Sequence, residues 1–211
     1  MCIDQGMSEP RATRARPKRT KAASAGSNAD MPSAMTVESW MQQRGWVAFD
    51  FQRQVWNALQ QDKSGLLHAT TGTGKTLAVW GGVLAREAQR KPAAYTALWL
   101  TPMRALAADT AKTLGEISAA ILPGWTIVLR SGDSSSAERQ RQERQPPTAL
   151  VTTPESLSLM LSRAQAQATL SQVRYVIVDE WHELLGNKRG VQTQLALARL
   201  LRWNPQCVVW G

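Results

Sequence analysis

The chain has 211 residues, of which 43% are hydrophobic, and its formal net charge is +9. This length is enough for one α/β domain with a tail, or for two small domains. We expect no contact with a membrane, because there is no apolar run of about 18 residues. No secretory signal is visible, and Cys2 and Cys207 lie at opposite ends and form no disulfide framework. We therefore expect a cytoplasmic location.

Residues 1–34 are predicted to be a disordered basic tail. The stretch 11–21 is basic and lacks large apolar residues, so it cannot bury enough surface to offset the entropy of ordering. An equally good explanation is that translation starts at Met31 or Met35. Residues 1–35 contribute +3 to the net charge, and the remaining residues contribute +6. The positive charge outside the tail is compatible with a polyanionic partner such as nucleic acid, and equally with a basic protein that has no such partner.

Residues 35–211 are predicted to form one domain in which helices alternate with apolar strands. The predicted helices are a short one capped by Thr36 or Ser39, then 51–59, 77–89, 103–121, 136–145, 155–162 and 191–201. The predicted strands are 65–68, 95–101, 125–129, 149–153, 174–179 and 206–210. This alternation favours an α/β fold with a mainly parallel sheet and helices on both faces. In the last helix we expect Leu195, Ala198, Leu201 and their neighbours to face the core.

A turn rich in Gly and Thr, Ala-Thr-Thr-Gly-Thr-Gly-Lys-Thr, follows the first predicted strand and opens a helix. Its glycines let the backbone turn sharply and bring N–H groups close to phosphate oxygens. Lys75 is placed to reach the β- and γ-phosphates of a nucleotide, and the Thr76 hydroxyl to bind Mg²⁺. The predicted nucleotide-binding residues of this turn are Ala69, Thr70, Thr71, Gly72, Thr73, Gly74, Lys75 and Thr76.

An acidic pair, Asp179-Glu180, follows the clearest apolar strand. A parallel sheet places ligand sites at the carboxyl ends of its strands, which is also where the phosphate-binding turn is expected. Nucleotide hydrolysis needs a carboxylate that holds Mg²⁺ and a group that orients the attacking water. We predict the first role for Asp179 and the second for Glu180, with Lys75 as the third catalytic residue.

Together, the turn at 69–76 and the sequence Asp-Glu-Trp-His at 179–182 resemble the superfamily 2 helicases of the DEXH-box type. The segments 98–109, 131–133 and 152–156 look like the nucleic-acid motifs of these helicases.

The resemblance extends below the superfamily. The sequence at 179–192 is similar to the large-helicase-related (Lhr-type) group, and within that group it looks most like the DNA-ligase-associated DEXH-box helicases. The similarity covers about residues 40–211 and leaves the tail uncovered.

The resemblance implies a RecA-like phosphate-loop NTPase domain, with ATP and Mg²⁺ as ligands and single-stranded nucleic acid, which we expect to be DNA, as partner. The subgroup adds a DNA ligase or a nuclease as a possible partner. The residues that fall where such helicases touch the nucleic-acid backbone are Thr101, Pro102, Arg104, Gly132, Asp133, Thr153, Pro154, Glu155 and Ser156. Small hydroxyls, helix N-termini and an arginine are suitable phosphate partners.

Two further residues acquire roles from the resemblance. Gln52 stands where these helicases bind adenine, whose N6 and N7 atoms an amide can pair with; a polar residue at a helix edge is an equal alternative. His182 stands where the family couples the ATP state to a second motor domain, and its alternative is a hydrogen-bonded histidine near the core. Phe49 or Trp46 could stack on the base, although we expect a core position for both.

The resemblance also leads us to expect a longer protein. In the family, the last predicted strand runs into a Ser-Ala-Thr motif, whereas this chain stops at Gly211, so the second RecA-like domain and its arginine finger would be missing. The alternatives to a DNA motor are an RNA helicase domain and a nucleotide- and nucleic-acid-binding module without turnover. A transporter-type phosphate-loop ATPase is disfavoured by the Asp-Glu-Trp-His and Thr-Pro-Glu-Ser sequences.

Overall fold

A parallel sheet of five strands forms the centre of the chain in the computed structural model, which describes residues 35–70 and 72–211. The strands are β1 (Ala97–Leu100), β2 (Ile127–Arg130), β3 (Ala149–Thr152), β4 (Tyr175–Val178) and β5 (Val208–Trp210). The helices are α1 (Val37–Gln42), α2 (Asp50–Gln60), α3 (Lys75–Glu87), α4 (Arg104–Ile121), α5 (Ser136–Arg144), α6 (Pro154–Leu161), α7 (Ala166–Leu170) and α8 (Lys188–Trp203). The predicted tail lies outside the described residues.

The strands lie in the order β2-β3-β1-β4-β5, and every pair is parallel. Leu100 of β1 is level with Thr152 of β3 and Val178 of β4, so the carboxyl ends of the three central strands meet at one edge of the sheet. The loops that follow these strands are therefore neighbours, which is the arrangement that positions the site described below.

Two buried clusters cover the two faces of the sheet. Alternate residues of each strand point to opposite faces, and in β1 Trp99 belongs to one cluster while Leu98 and Leu100 belong to the other. Helices α1 to α4 cover the Trp99 face, and α6, α7 and α8 cover the Leu98 face. The predicted α/β fold with helices on both faces is confirmed. In the described part of the chain, no helix is long and apolar enough to cross a membrane.

The predicted strand at 65–68 is wrong in extent. Only Gly65 forms a bridge, with Trp210, and the Leu67 N–H donates to the Gly211 carbonyl at 2.7 Å. Residues 65–68 run parallel to the end of β5. Among the described residues, their only sheet-type hydrogen bonds are with the last residues of the chain. The residues that precede the phosphate-binding turn are therefore extended but make a very short edge of the sheet.

The predicted core face of α8 is wrong for its three named residues, although their neighbours Ala196 and Leu200 are buried. Leu195 is 66% exposed and Ala198 and Leu201 are exposed, whereas Thr193, Ala196 and Leu200 are buried. The cause is Gly190 in the first turn of the helix: a Cβ there would lie 1.8 Å from the Leu184 carbonyl oxygen. This close backbone contact fixes the rotation of α8 about its axis, with the side that carries Gly190 turned inward. Thr193, Ala196 and Leu200 lie on the same side of the helix as Gly190 and are therefore buried.

A buried carboxylate joins α3 to β4 at the amino-terminal edge of the sheet. Glu87 is 1% exposed and accepts hydrogen bonds from the Tyr175 hydroxyl at 2.8 Å and from Arg90 at 2.9 Å. The Arg174 guanidinium lies 2.5 Å from its other oxygen. Burial and the Glu87 carboxylate raise the pKa of Tyr175, so the hydroxyl remains a donor.

Replacing Glu87 with Ala is expected to lower the free energy of unfolding by about 2–3 kcal/mol, because it leaves the Tyr175 hydroxyl without a partner and two arginines without their counterion. The loss is smaller than for a fully buried pair because Arg90 and Arg174 remain partly in water. Urea unfolding measures it. Glu38→Ala, which removes an exposed pair with Arg53, is the control and should cost about 0.5 kcal/mol or less. Equal effects of the two variants would contradict a structural role for the buried cluster.

Candidate functional site

A pocket of about 470 Å³ lies at the carboxyl ends of β1 and β4. It brings together the phosphate-binding turn and the acidic pair, which are more than 100 residues apart in the sequence. The predicted site residues that line it are Ala69, Thr70, Lys75, Thr76, Asp179, Glu180 and His182.

The backbone of the phosphate-binding turn has the conformation that its glycines allow. Gly72 and Gly74 have φ angles of 82° and 88°, in the left-handed region that favours glycine. The Thr73 hydroxyl donates to the Thr70 carbonyl at 2.7 Å and so braces the turn. Helix α3 begins directly afterwards at Lys75, and the N–H groups of its first turn have no carbonyl partner within the helix. These N–H groups suit a phosphate. Thr71 lies outside the described residues.

Lys75 and Glu180 form an ion pair inside the pocket. The Lys75 Nζ atom lies 3.7 Å from Glu180 Oε1, and both side chains are about one quarter exposed. The pair holds the ammonium next to the turn without burying it. An incoming phosphate would compete with the Glu180 carboxylate for Lys75 and leave the carboxylate free to accept another hydrogen bond.

Asp179 is held by two donors. The Trp99 indole N–H donates to Oδ2 at 3.3 Å, and the Glu180 N–H donates to Oδ1 at 3.1 Å. Burial raises the pKa of Asp179, and the bond from Trp99 acts in the opposite direction. Trp99 was not among the site residues predicted from the sequence. The signal that could have identified Trp99 is its position near the end of β1. There it is level with Ile177 of the neighbouring strand, which leads into Asp179.

Glu180 has a positive φ angle of 43°, which is uncommon for a residue other than glycine. It precedes a single 3₁₀ turn, Trp181–Leu184, which was not predicted from the sequence either. In this turn the His182 side chain is 57% exposed, and its Nδ1 atom lies 3.4 Å from Glu180 Oε2. The alternative of a histidine near the core is therefore excluded. The Glu180 carboxylate lies between Lys75 and His182.

The residues in the pocket fit Mg²⁺. The Thr76 hydroxyl and the Asp179 carboxylate line the same pocket, and Mg²⁺ prefers oxygen ligands. Within residues 35–70 and 72–211, no group of three or more His, Cys, Asp or Glu could hold a metal ion. A cation held by Thr76 and Asp179 would therefore take its remaining ligands from water and phosphate oxygens, as is usual for Mg²⁺.

A second pocket of about 570 Å³ lies on the other side of the phosphate-binding turn, where Gln52, Gly72, Thr73 and Gly74 line it. Gln52 is 2% exposed. Its Oε1 accepts from the Phe49 N–H at 3.0 Å and its Nε2 donates to the Gly74 carbonyl at 3.1 Å. The amide oxygen is thus already bonded in this conformation, and the side chain ties the start of α2 to the turn.

Two aromatic rings stand at the surface of this second pocket. Phe49 is 58% exposed and Trp46 is 51% exposed, and both line the pocket beside Gln52. The expected core position is therefore wrong for both residues. The reason is local: Phe49 is the residue before α2, and Trp46 follows the turn that ends α1, so neither lies on a helix face that packs on the sheet.

Three of the predicted nucleic-acid contacts lie together on the surface. Arg104 at the start of α4 pairs with Asp133, with 3.5 Å between Nη1 and Oδ1. A Cβ at Gly132 would lie 3.1 Å from the same guanidinium, so the loop after β2 lies against Arg104. All three residues are exposed and can contact a ligand in this conformation.

The other predicted contacts are buried or are paired within the protein. The buried ones are Thr101, Pro102, Thr153, Pro154 and Ser156. Thr153 caps α6 by accepting from the Ser156 N–H at 3.4 Å. Glu155 accepts from Arg189 at 2.6 Å, which joins α6 to α8 and lowers the pKa of Glu155 against the effect of burial. In this conformation, Thr153 and Ser156 stabilise the start of α6, and Glu155 ties α6 to α8.

A family model described as DEAD/DEAH box helicase matches residues 49–210. An Lhr helicase and probable uracil glycosylase of Mycolicibacterium smegmatis is 39% identical over 162 residues, which is 71% of this chain and 11% of that protein. An ATP-dependent helicase Lhr-Core of Methanothermobacter thermautotrophicus is 34% identical over 179 residues, which is 78% of this chain and 21% of the relative. The chain therefore spans a small part of these proteins.

A solved structure shows the same arrangement of elements. The helicase Lhr of Mycobacterium smegmatis bound to single-stranded DNA and AMP-PNP superimposes with a TM-score of 0.71 and 31% sequence identity. The match covers 83% of this chain and 24% of the solved chain.

Proposed function

This chain belongs to the DEAD/DEAH box helicase family, and from that premise we propose that it is the ATP-hydrolysing motor domain of a helicase or translocase that acts on single-stranded DNA. The observation that carries the proposal is the single pocket lined by Lys75, Thr76, Asp179 and Glu180. These are the cation, hydroxyl and carboxylates that phosphoryl transfer from a nucleotide requires.

Each of these side chains has a different role in the proposed reaction. Lys75 and the N–H groups at the start of α3 bind phosphate oxygens. Thr76 and Asp179 would hold Mg²⁺, which would supply positive charge to those oxygens. Glu180 orients the attacking water and accepts its proton once Lys75 has turned to the phosphates. The raised pKa of Asp179 reflects its burial, and Trp99 helps to keep the carboxylate ionised and oriented.

The second pocket supports a place for the adenine base. Gln52, Phe49 and Trp46 line it directly beside the phosphate-binding turn. An exposed aromatic ring can stack on a base, and the second hydrogen of the Gln52 amide can still be donated. His182, exposed next to Glu180, is suited to couple the state of the nucleotide to a second RecA-like domain, which we propose as a partner in the whole protein.

DNA as the substrate is supported by the single-stranded DNA in the mycobacterial Lhr structure. The resemblance of residues 179–192 to the ligase-associated helicases supports a role in DNA repair with a ligase or nuclease partner. A second candidate function is a binding module without turnover. It is favoured by one observation: among the described residues, no arginine lines the nucleotide pocket.

We expect binding to single-stranded DNA that weakens steeply as salt rises and depends little on base sequence. Phosphate contacts release counterions, and the slope of log K against log salt is about −0.7 for each phosphate neutralised on a single strand. Anisotropy of a labelled oligonucleotide measures this slope, and an RNA of the same sequence tests the preference for DNA.

Arg104→Gln should reduce the magnitude of the slope by about 0.7, which is one lost phosphate contact. Arg202→Gln, an exposed change in the last turn of α8, is the matched control and should leave the slope unchanged. Salt-independent affinity, or no binding at low salt, would count against the proposed substrate class.

A further inference from the structure

A cleft of about 310 Å³ lies between the carboxyl end of β2 and helix α6, outside the nucleotide pocket. Three arginines, Arg130, Arg139 and Arg163, line it together with the hydroxyl-bearing residues Ser131 and Ser156. Among the described residues, none with a carboxylate lines this cleft.

The unusual member of this set is Arg130, the last residue of β2. It is 5% exposed, and its one ion pair in the described chain is with Glu143, at 3.7 Å, which is longer than a hydrogen bond. A guanidinium has five N–H donors, and a buried charge is costly unless it is paired and hydrogen-bonded. Burial lowers the pKa of Arg130, as expected for a cation with incomplete compensation.

Glu143 does not compensate for the three arginines. Its carboxylate contacts Arg163 directly, and this contact lowers the pKa of Glu143. The same oxygen is the one that lies nearest to Arg130. One carboxylate, which does not line the cleft, is therefore shared by two guanidiniums, and Arg139 brings a third positive charge.

The cleft is continuous with the exposed patch at Arg104. Arg139 donates from Nη2 to the Gly132 carbonyl at 3.0 Å, and Gly132 lies against Arg104 on the other side of the same loop. A strand that contacts Arg104 and Gly132 would reach Arg139 by following this loop. The nucleotide pocket and the cleft have no lining residue in common.

We propose that the Arg130, Arg139 and Arg163 cleft binds a phosphate group of the nucleic-acid strand. Guanidiniums match phosphate oxygens with paired hydrogen bonds, and serine hydroxyls can add further bonds. A phosphate would supply the acceptors that Arg130 lacks. The inference rests on the proposed function, because it takes the strand to be the source of the phosphate, and it adds a binding site to the residues expected from the sequence.

The test compares two double variants that remove the same charge. Arg139→Gln with Arg163→Gln alters the cleft, whereas Arg141→Gln with Arg144→Gln alters exposed arginines of α5 that do not line it. None of these four side chains is buried, and thermal unfolding checks that both proteins are folded. Anisotropy with a labelled single-stranded DNA is measured over a range of salt concentrations.

The cleft variant should bind more weakly, and the magnitude of its salt slope should fall by at least about 0.7, the value for one phosphate, while the control variant keeps the parental slope. Equal slopes for the two variants would overturn the inference. If Arg104→Gln weakens binding but the cleft variant does not, only the inference is rejected. If the parent protein binds no strand at low salt, the proposed function and the inference are both rejected.

Discussion

Replacing Lys75 with Ala is expected to weaken the binding of a fluorescent ATP analogue in Mg²⁺ by about 10- to 100-fold. A loss of affinity of this size corresponds to the loss of one or more hydrogen bonds to a charged group, about 1.5–3 kcal/mol. The side chain is 28% exposed and opens no cavity when it is truncated, so the helix content should not change. Removal of the ammonium also leaves the Glu180 carboxylate without its lysine partner beside the phosphates, and the repulsion between these negative charges weakens binding further.

Lys91→Ala is the matched control for this measurement. Lys91 is exposed and lies beyond the far end of α3, a helix of 13 residues that is about 20 Å long. The control should keep the parental affinity. If the Lys75 variant binds the analogue as tightly as the control does, the assignment of the phosphate-binding turn is wrong.

The fold could be predicted because burial on both faces of the sheet leaves its strands with almost no polar residues. Ala97–Leu100 and Tyr175–Val178 consist of aliphatic and aromatic residues and lie next to each other. The family was predictable from two short sequences, the phosphate-binding turn and Asp-Glu-Trp-His, and the match of a helicase family model to residues 49–210 confirms the predicted relationship.

The error in the buried face of α8 arose because one close contact overrides a regular pattern. The apolar residues of α8 fit two helix faces, and the contact of Gly190 with the Leu184 carbonyl, which decides between them, joins two separate elements. Gln52 could be recognised as a site residue, but its bond to the Gly74 carbonyl depends on a turn 22 residues away. Such contacts have no periodic signal in the sequence.

The arginine cleft was hidden for a different reason. Arg130 ends an apolar strand, Arg139 lies on a helix that looks charged and exposed throughout, and Arg163 follows a third element. No spacing links the three. They meet because β2 is the edge strand of the sheet, with the loop to α5 on one side and α6 packed near its end.

The hydrolysis of ATP by this chain is expected to be slow and to depend on Glu180. No arginine among the described residues lines the nucleotide pocket. The rate therefore lacks the contribution of an arginine finger, which raises turnover about 10³- to 10⁵-fold in related phosphoryl transfer. Single-turnover measurements, with the chain in excess over labelled ATP, make a slow rate measurable, and single-stranded DNA is included in one arm.

Glu180→Gln should lower this rate about 100-fold or more, because the amide keeps the size of the side chain but cannot accept the proton of water. Nucleotide affinity should be equal or higher, since the carboxylate that pairs with Lys75 at 3.7 Å is gone and the ammonium is free for phosphate. Glu183→Gln is the isosteric control three residues along, where the side chain is 56% exposed, and its rate should stay within about fivefold of the parent. Rapid hydrolysis by the parent that survives Glu180→Gln would show that the reaction uses neither the predicted carboxylate nor an external arginine.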